Sequence, residues 1–105
     1  MADPTVASQS GKASEQYLRL TGEYDLARER EVAALFDLLD GERPITIDLT
    51  EVTYMDSSCF RQLARLRTRA VKHQITLDGV ARNVARVMEL LGFQRVFEIK
   101  TIVRP

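Results

Sequence analysis

The sequence predicts a single α/β domain: a mostly parallel β-sheet with helices packed against it. Short apolar runs of strand character alternate with helical stretches of about 10 to 16 residues, the pattern of strand, crossover helix and parallel strand. Those helical stretches repeat apolar residues at i, i+3, i+4 and i+7, one face of a 3.6-residue period. The length of 105 residues, 45% of them hydrophobic, suits one modest core. No internal repeat or linker divides it.

The elements follow in order. An early strand over Val6 to Ser8 carries only a short signal. From Gln16, the run Tyr17, Leu18, Leu20 reads as a strand, and Thr21-Gly22-Glu23 interrupts it with a turn or bulge signal. Between Leu26 and Leu39, the residues Val32, Leu35, Phe36 and Leu39 make one apolar helical face, which Asp40-Gly41 and Pro44 end. Ile45-Thr46-Ile47-Asp48-Leu49 alternates apolar and polar residues, as a strand with one face on a core does, and a link follows through Val52 to Met55. A second helix starts at Ser57 and runs to about His73, with Leu63, Leu66 and Ala70 inward. Ile75 to Leu77 forms the next strand, punctuated by Gly79. Val84, Val87, Met88 and Leu91 repeat the helical spacing before Gly92, a good helix terminator. A last strand spans Val96 to Ile99, with a candidate extension at Ile102 to Val103.

Composition narrows the function classes. Fifteen basic and fifteen acidic residues cancel, so a charged partner has to be met by a local patch rather than by the field of the whole molecule. One cysteine, Cys59, cannot close an internal disulfide, and no apolar segment approaches the roughly 20 residues of a membrane-spanning helix. Residues 1–12 lack the apolar core of a secretory signal and are rich in Ala, Ser, Pro, Gly and Gln. The expectation is a cytoplasmic protein with a flexible segment at 1–12 and its domain at 13–105.

The chemistry concentrates at Asp56-Ser57-Ser58-Cys59, where an apolar run gives way to a helical pattern. Serine at a helix start caps the first-turn amides, so the local sequence favours a cap and leaves a modifiable hydroxyl as the second reading. Arg61 lies one helical turn after Ser57, where a guanidinium could reach back to a phosphate; the competing reading makes Arg61, Arg65 and Arg69 a solvated stripe. Cys59 is either a thiolate favoured by the helix terminus or a small buried hydrophobe.

Four segments in order resemble a known family: Leu20-Thr21-Gly22-Glu23-Tyr24-Asp25; Ile45 to Leu49 with Val52; Met55-Asp56-Ser57-Ser58; and Val84 through Leu91-Gly92-Phe93 with Phe97-Glu98-Ile99. Their order and spacing resemble the STAS domain and, within it, the bacterial anti-sigma factor antagonists. The likeness covers about Tyr17 to Ile99, and it implies a STAS-like domain whose first serine after the aspartate is phosphorylated by an anti-sigma factor with serine kinase activity. By that likeness Ser57 is the phosphoacceptor, and Asp25 and Asp56 are the acids beside it; the segment expected to meet a partner is Asp25, Asp56, Ser57, Ser58, Cys59 and Arg61, the last placed there by its spacing from Ser57. Cys59 stands where the family usually has glycine, and Phe60 where it usually has leucine. The implied mechanism is partner switching, with a protein phosphatase resetting the protein and transcription as the regulated process.

Other functions fit less well. Catalysis by Ser57 or Cys59 needs a base, yet the one histidine, His73, falls roughly 24 Å along the same helix at 1.5 Å per residue. Cys59 and His73 are too few and too far apart for a zinc site, and no cofactor motif is present. Arg61, Arg65, Arg67, Arg69 and Lys72 form a basic run, but no turn and second helix frame a DNA-recognition motif. The serious rival is a non-switching STAS subunit or scaffold of a transporter or signalling complex, in which the serine is only a cap.

Overall fold

The computed structural model describes residues 6–7 and 15–102. Strands β1 (Val6–Ala7), β2 (Gln16–Tyr24), β3 (Ile45–Met55), β4 (Ile75–Val80) and β5 (Glu98–Thr101) pair in chain order. β1 is antiparallel to β2, and β2 to β5 are parallel. Helices α1 (Glu29–Asp37), α2 (Ser57–Arg69) and α3 (Arg82–Leu90) connect the parallel strands, with 3-10 turns at Leu26–Arg28 and Phe93–Arg95. Parallel crossovers share one hand, so connections that always step to the next strand put all three helices on one face of the sheet.

Burial follows that geometry. Leu18 and Leu20 of β2, Ile45, Ile47 and Leu49 of β3, and Ile75 and Leu77 of β4 are buried beneath the helices. Val32 and Phe36 of α1, Phe60, Leu63 and Leu66 of α2, and Val84 and Met88 of α3 close over them. The alternate strand positions Tyr17, Arg19, Thr46 and Thr76 lie on the other, polar face and remain partly or fully exposed.

One charge on that polar face is buried. Asp48 accepts the Thr50 amide at 2.9 Å and the Thr50 hydroxyl at 2.6 Å, and it is also bonded by the Tyr17 hydroxyl and by Arg19 at 3.1 Å. Burial opposes its ionisation, but the Thr50, Tyr17 and Arg19 hydrogen bonds outweigh it and hold the carboxyl down at about 2. Gly79 makes room for this cluster, since a Cβ there would lie 2.0 Å from the Thr50 hydroxyl oxygen, and its φ of +66° is one that side-chain-bearing residues rarely adopt.

Several expectations are refined or corrected. Of the turn or bulge expected at Thr21-Gly22-Glu23, the structure holds a bulge within β2, with register shifts against β3 between Arg19 and Thr21 and between Gly22 and Glu23. The strand survives because the buried Tyr24 sends its hydroxyl back to accept the Thr21 amide at 3.0 Å. The link from Val52 to Met55 is strand, the second half of β3, and pairs with β2 alone. Gly79 lies inside β4. α2 stops at Arg69 instead of near His73, because the Arg67 guanidinium takes the carbonyls of Ala70, His73 and Val96 and bends the chain away. Arg69 donates to the carbonyls of Phe36 and Leu39 at 2.6 and 2.8 Å, so it ties down the end of α1 and is no part of a solvated stripe. Val96 and Phe97 precede β5 instead of opening it. The expected flexibility of residues 1–12 lies outside the described residues except at Val6–Ala7, which are strand; Val103 also lies outside them.

Asp48→Asn is expected to lower unfolding free energy by roughly 1 to 3 kcal/mol at neutral pH. The folded pKa of about 2 lies below the ordinary 3.8, so this stabilisation is present above about pH 4 and fades as pH falls toward 2. Urea titrations at pH 7 and pH 2.5 should show a gap between wild type and variant that narrows at the lower pH.

Candidate functional site

The C-terminal ends of β2 and β3 lie side by side, with Tyr24 opposite Met55 and the Asp56 amide donating to the Tyr24 carbonyl at 3.0 Å. Asp25 and Asp56 therefore leave the sheet as neighbours, at the strand ends where α/β sheets present their sites. Asp25 accepts the Ala27 amide at 3.0 Å and starts the 3-10 turn.

Asp56, in extended conformation, is the N-cap of α2. One carboxylate oxygen accepts the Ser58 amide at 2.9 Å and the Ser58 hydroxyl at 2.5 Å. The Ser58 hydroxyl is the largest influence lowering the Asp56 pKa; burial opposes it, and the amides of Ser58, Cys59 and Leu26 add to the lowering. The expectation that a serine caps this helix is thereby corrected. Aspartate, a residue earlier and already extended, takes the amides, which leaves Ser57 as the first helical residue with an exposed side chain.

Ser58 and Cys59 turn inward, 2% and 1% exposed. Burial, helped by the Asp56 charge, pushes the Cys59 thiol up to about 12, which removes the reading of a reactive thiolate. Both side chains, expected in the partner-binding segment, are thus buried in this structure. Phe60 is buried edge-on against Phe93, ring centroids 5.9 Å apart.

Arg61 is exposed but engaged. Its guanidinium pairs with Glu29 of α1 at 3.2 Å, and Gln62 donates to the same carboxylate oxygen at 2.9 Å. Gln62 is the main cause lowering the Glu29 pKa; burial works against it, and Arg61 adds to the lowering. In the unmodified protein Arg61 thus bridges α2 to α1.

Beside Ser57 runs an open groove of about 620 Å³ between the start of α2 and the end of α3. Tyr54, Met55, Phe60, Ala64, Val87 and Leu91 make it apolar, with Asp56, Ser57 and Arg61 at its edge. Val87 and Leu91, expected in the core, are 40% and 53% exposed here, because α3 buries Val84, Ala85 and Met88 instead. The signal lies in the count of apolar residues: Val84, Ala85, Val87, Met88 and Leu90 in a nine-residue helix, with Leu91 capping it, exceed what one buried stripe can use. His73 lies beyond the far end of α2 from Ser57, away from this site. Among the described residues no group of three His, Cys, Asp or Glu could hold a metal ion, and no helix is long and apolar enough to cross a membrane.

A mostly parallel sheet covered on one face by helices is the architecture expected of a STAS domain. Residues 7–103 match the family described as Mlab, STAS domain, and the chain belongs to that family. An anti-sigma-factor antagonist (STAS) domain protein from Planctomyces limnophilus is similar in structure at 18% identity, over 97% of this chain and 92% of that one, with a TM-score of 0.70. A sulfate transporter family protein from Wolinella succinogenes is similar at 13% identity, over 97% and 89%, with a TM-score of 0.73. The anti-sigma factor antagonist SpoIIAA in its unphosphorylated form is similar at 20% identity, over 94% and 90%, with a TM-score of 0.65. At these identities the structural likeness shows the shared fold. No curated protein matches the sequence.

The buried thiol should react with an aromatic disulfide reagent only on unfolding. Cys59 modification in native buffer is expected to be at least about 100-fold slower than in denaturant, followed by absorbance of the released thiolate.

Proposed function

We propose that the protein is an anti-sigma factor antagonist that works by phosphorylation-controlled partner switching in the cytoplasm. The observation that carries this reading is the exposed Ser57, first residue of α2, at the edge of the apolar groove formed by Tyr54, Val87 and Leu91. Unmodified, the protein binds an anti-sigma factor with serine kinase activity across that groove and frees the sigma factor. The partner then moves the terminal phosphoryl group of ATP to the Ser57 oxygen. The bond from that phosphorus to the ADP oxygen breaks, the Ser57 O–P bond forms, and the hydroxyl proton passes to a base. A protein phosphatase hydrolyses the ester and resets the cycle. The chain itself acts as a switched ligand, neither an enzyme nor a reader of DNA.

The electrostatics support a switch at the interface rather than in the fold. A phosphoserine brings a charge of about −1.5 to −2 beside Asp25 and Asp56, while the start of a helix offsets only about 0.3 to 1 kcal/mol of it. Closing an apolar partner over that charge costs several kcal/mol; a cost of about 4 kcal/mol lowers affinity nearly a thousandfold.

A second reading, a non-switching subunit docked on a transporter complex, draws on the likeness to the sulfate transporter family protein. It uses the same groove and leaves Ser57 unmodified.

Incubation with ATP and an anti-sigma factor kinase is expected to add about 80 Da, absent in Ser57→Ala, and to release the partner in a binding assay. A protein that neither gains that mass nor binds favours the transporter reading. Leu91→Glu, at a half-exposed position, is expected to weaken partner binding by at least about tenfold with little change in melting temperature, measured by calorimetry of both.

A further inference from the structure

We propose that Arg61 is the receiving group for a phosphate on Ser57: modification transfers its guanidinium from Glu29 on α1 to the phosphate one helical turn back, and leaves Glu29 held by Gln62 alone. This rests on the phosphorylation of Ser57 proposed above and adds where the new charge goes.

Helical side chains lean toward the N-terminus, so a residue covers the turn before its own, and Arg61 lies over the turn of Ser57. Both residues border the same groove. Arg61 is free to move. Its side chain is 56% exposed, and its Nε and Nη2 both reach one oxygen of the half-buried Glu29 carboxylate at 3.2 Å, longer than a good charge-assisted bond. A phosphate with about two charges and three acceptor oxygens is the stronger competitor for a planar fork.

Arg28, a second cation near the strand ends, is not available. Arg28 lies 3.9 Å over the Tyr24 ring, donates to the carbonyls of Thr21 and Glu23 at 3.0 Å each, and pairs with Glu31 at 2.7 Å. Leaving would strip two carbonyls, a ring and a carboxylate of their partner. Arg65 is a further turn along α2.

The vacated carboxylate is already provided for. Gln62 donates to the Glu29 oxygen at 2.9 Å, so the α1 to α2 link keeps its shorter bond, from a neutral donor, when the cation departs. The handover therefore changes charge in two places. The groove edge gains a phosphate partly neutralised by Arg61, and the α1 to α2 seam gains an uncompensated Glu29. Asp25 and Asp56 stay beside the phosphate as the opposing charges.

The test installs phosphoserine at position 57 during translation, independent of any kinase, and follows the second phosphate ionisation by phosphorus NMR. Arg61→Gln is expected to raise that pKa by roughly 0.5 unit, about a threefold change in proton affinity, and Arg61→Lys to recover part of the shift. Glu29→Gln, which removes the competitor, is expected to lower the pKa when Arg61 is present and to do nothing in the Arg61→Gln background. A pKa that ignores Arg61→Gln, or a Glu29→Gln effect of equal size with and without Arg61, overturns the handover. Failure here leaves kinase-driven switching standing, and a protein that no kinase modifies leaves this titration interpretable.

Discussion

The pairing of β2 with β3 is carried to the last residue of both strands, and the site depends on that last step. Tyr24 faces Met55, and the Asp56 amide closes the ladder onto the Tyr24 carbonyl. A bulge sits just before, and an unsupported bulge would let the strand end swing. Tyr24 prevents this by burying its ring and bonding the Thr21 amide, while Arg28 covers the ring and takes the Thr21 and Glu23 carbonyls. The two aspartates that follow, Asp25 and Asp56, emerge side by side as a result. Each then starts its own helical turn.

The protein uses one local device twice, to different ends. Asp48 accepts the amide and hydroxyl of Thr50, two residues on, and Asp56 accepts the amide and hydroxyl of Ser58 in the same way. Within β3, Asp48 has Tyr17 and Arg19 across the strand, and the device stabilises a buried charge. At the strand's end Asp56 has no strand continuing beyond it, and the same bonds open a helix. This is why the hydroxyl at 58 is consumed inside the protein while the one at 57 faces outward.

Function on this scaffold follows from a division of surfaces. α2 and α3 press one stripe each into the core and leave a second apolar strip between them, with Ser57 at its edge. A partner seated there covers apolar surface and meets whatever charge Ser57 carries. The domain has little reason to rearrange when that charge changes, because Ser57 is exposed while the Ser58 hydroxyl that completes the Asp56 cap is buried.

The order of strands and helices, the parallel sheet and most of the core were legible in the chain, because periods of two and of 3.6 residues record which side of an element is buried. Val32 and Phe36, Ile45 and Ile47, and Leu63 and Leu66 could be placed from spacing alone, and so could the start of α2. What spacing cannot rank is competition between residues equally suited to one role. Asp56 and Ser57 both make good caps, and the extended backbone delivered by the β2 to β3 ladder gave the role to Asp56. α3 carries enough apolar residues for two faces, and only its packing on the sheet decided that Val84 and Met88 go in while Val87 and Leu91 stay out. Arg61 could have faced Ser57 or solvent; it meets Glu29 because the crossover lays α1 against α2, a contact 32 residues distant in the chain. Local, periodic patterning was enough to set the elements and their inward faces. The cap, the groove and the ion pair were left to the fold, since each depends on what packing brings alongside.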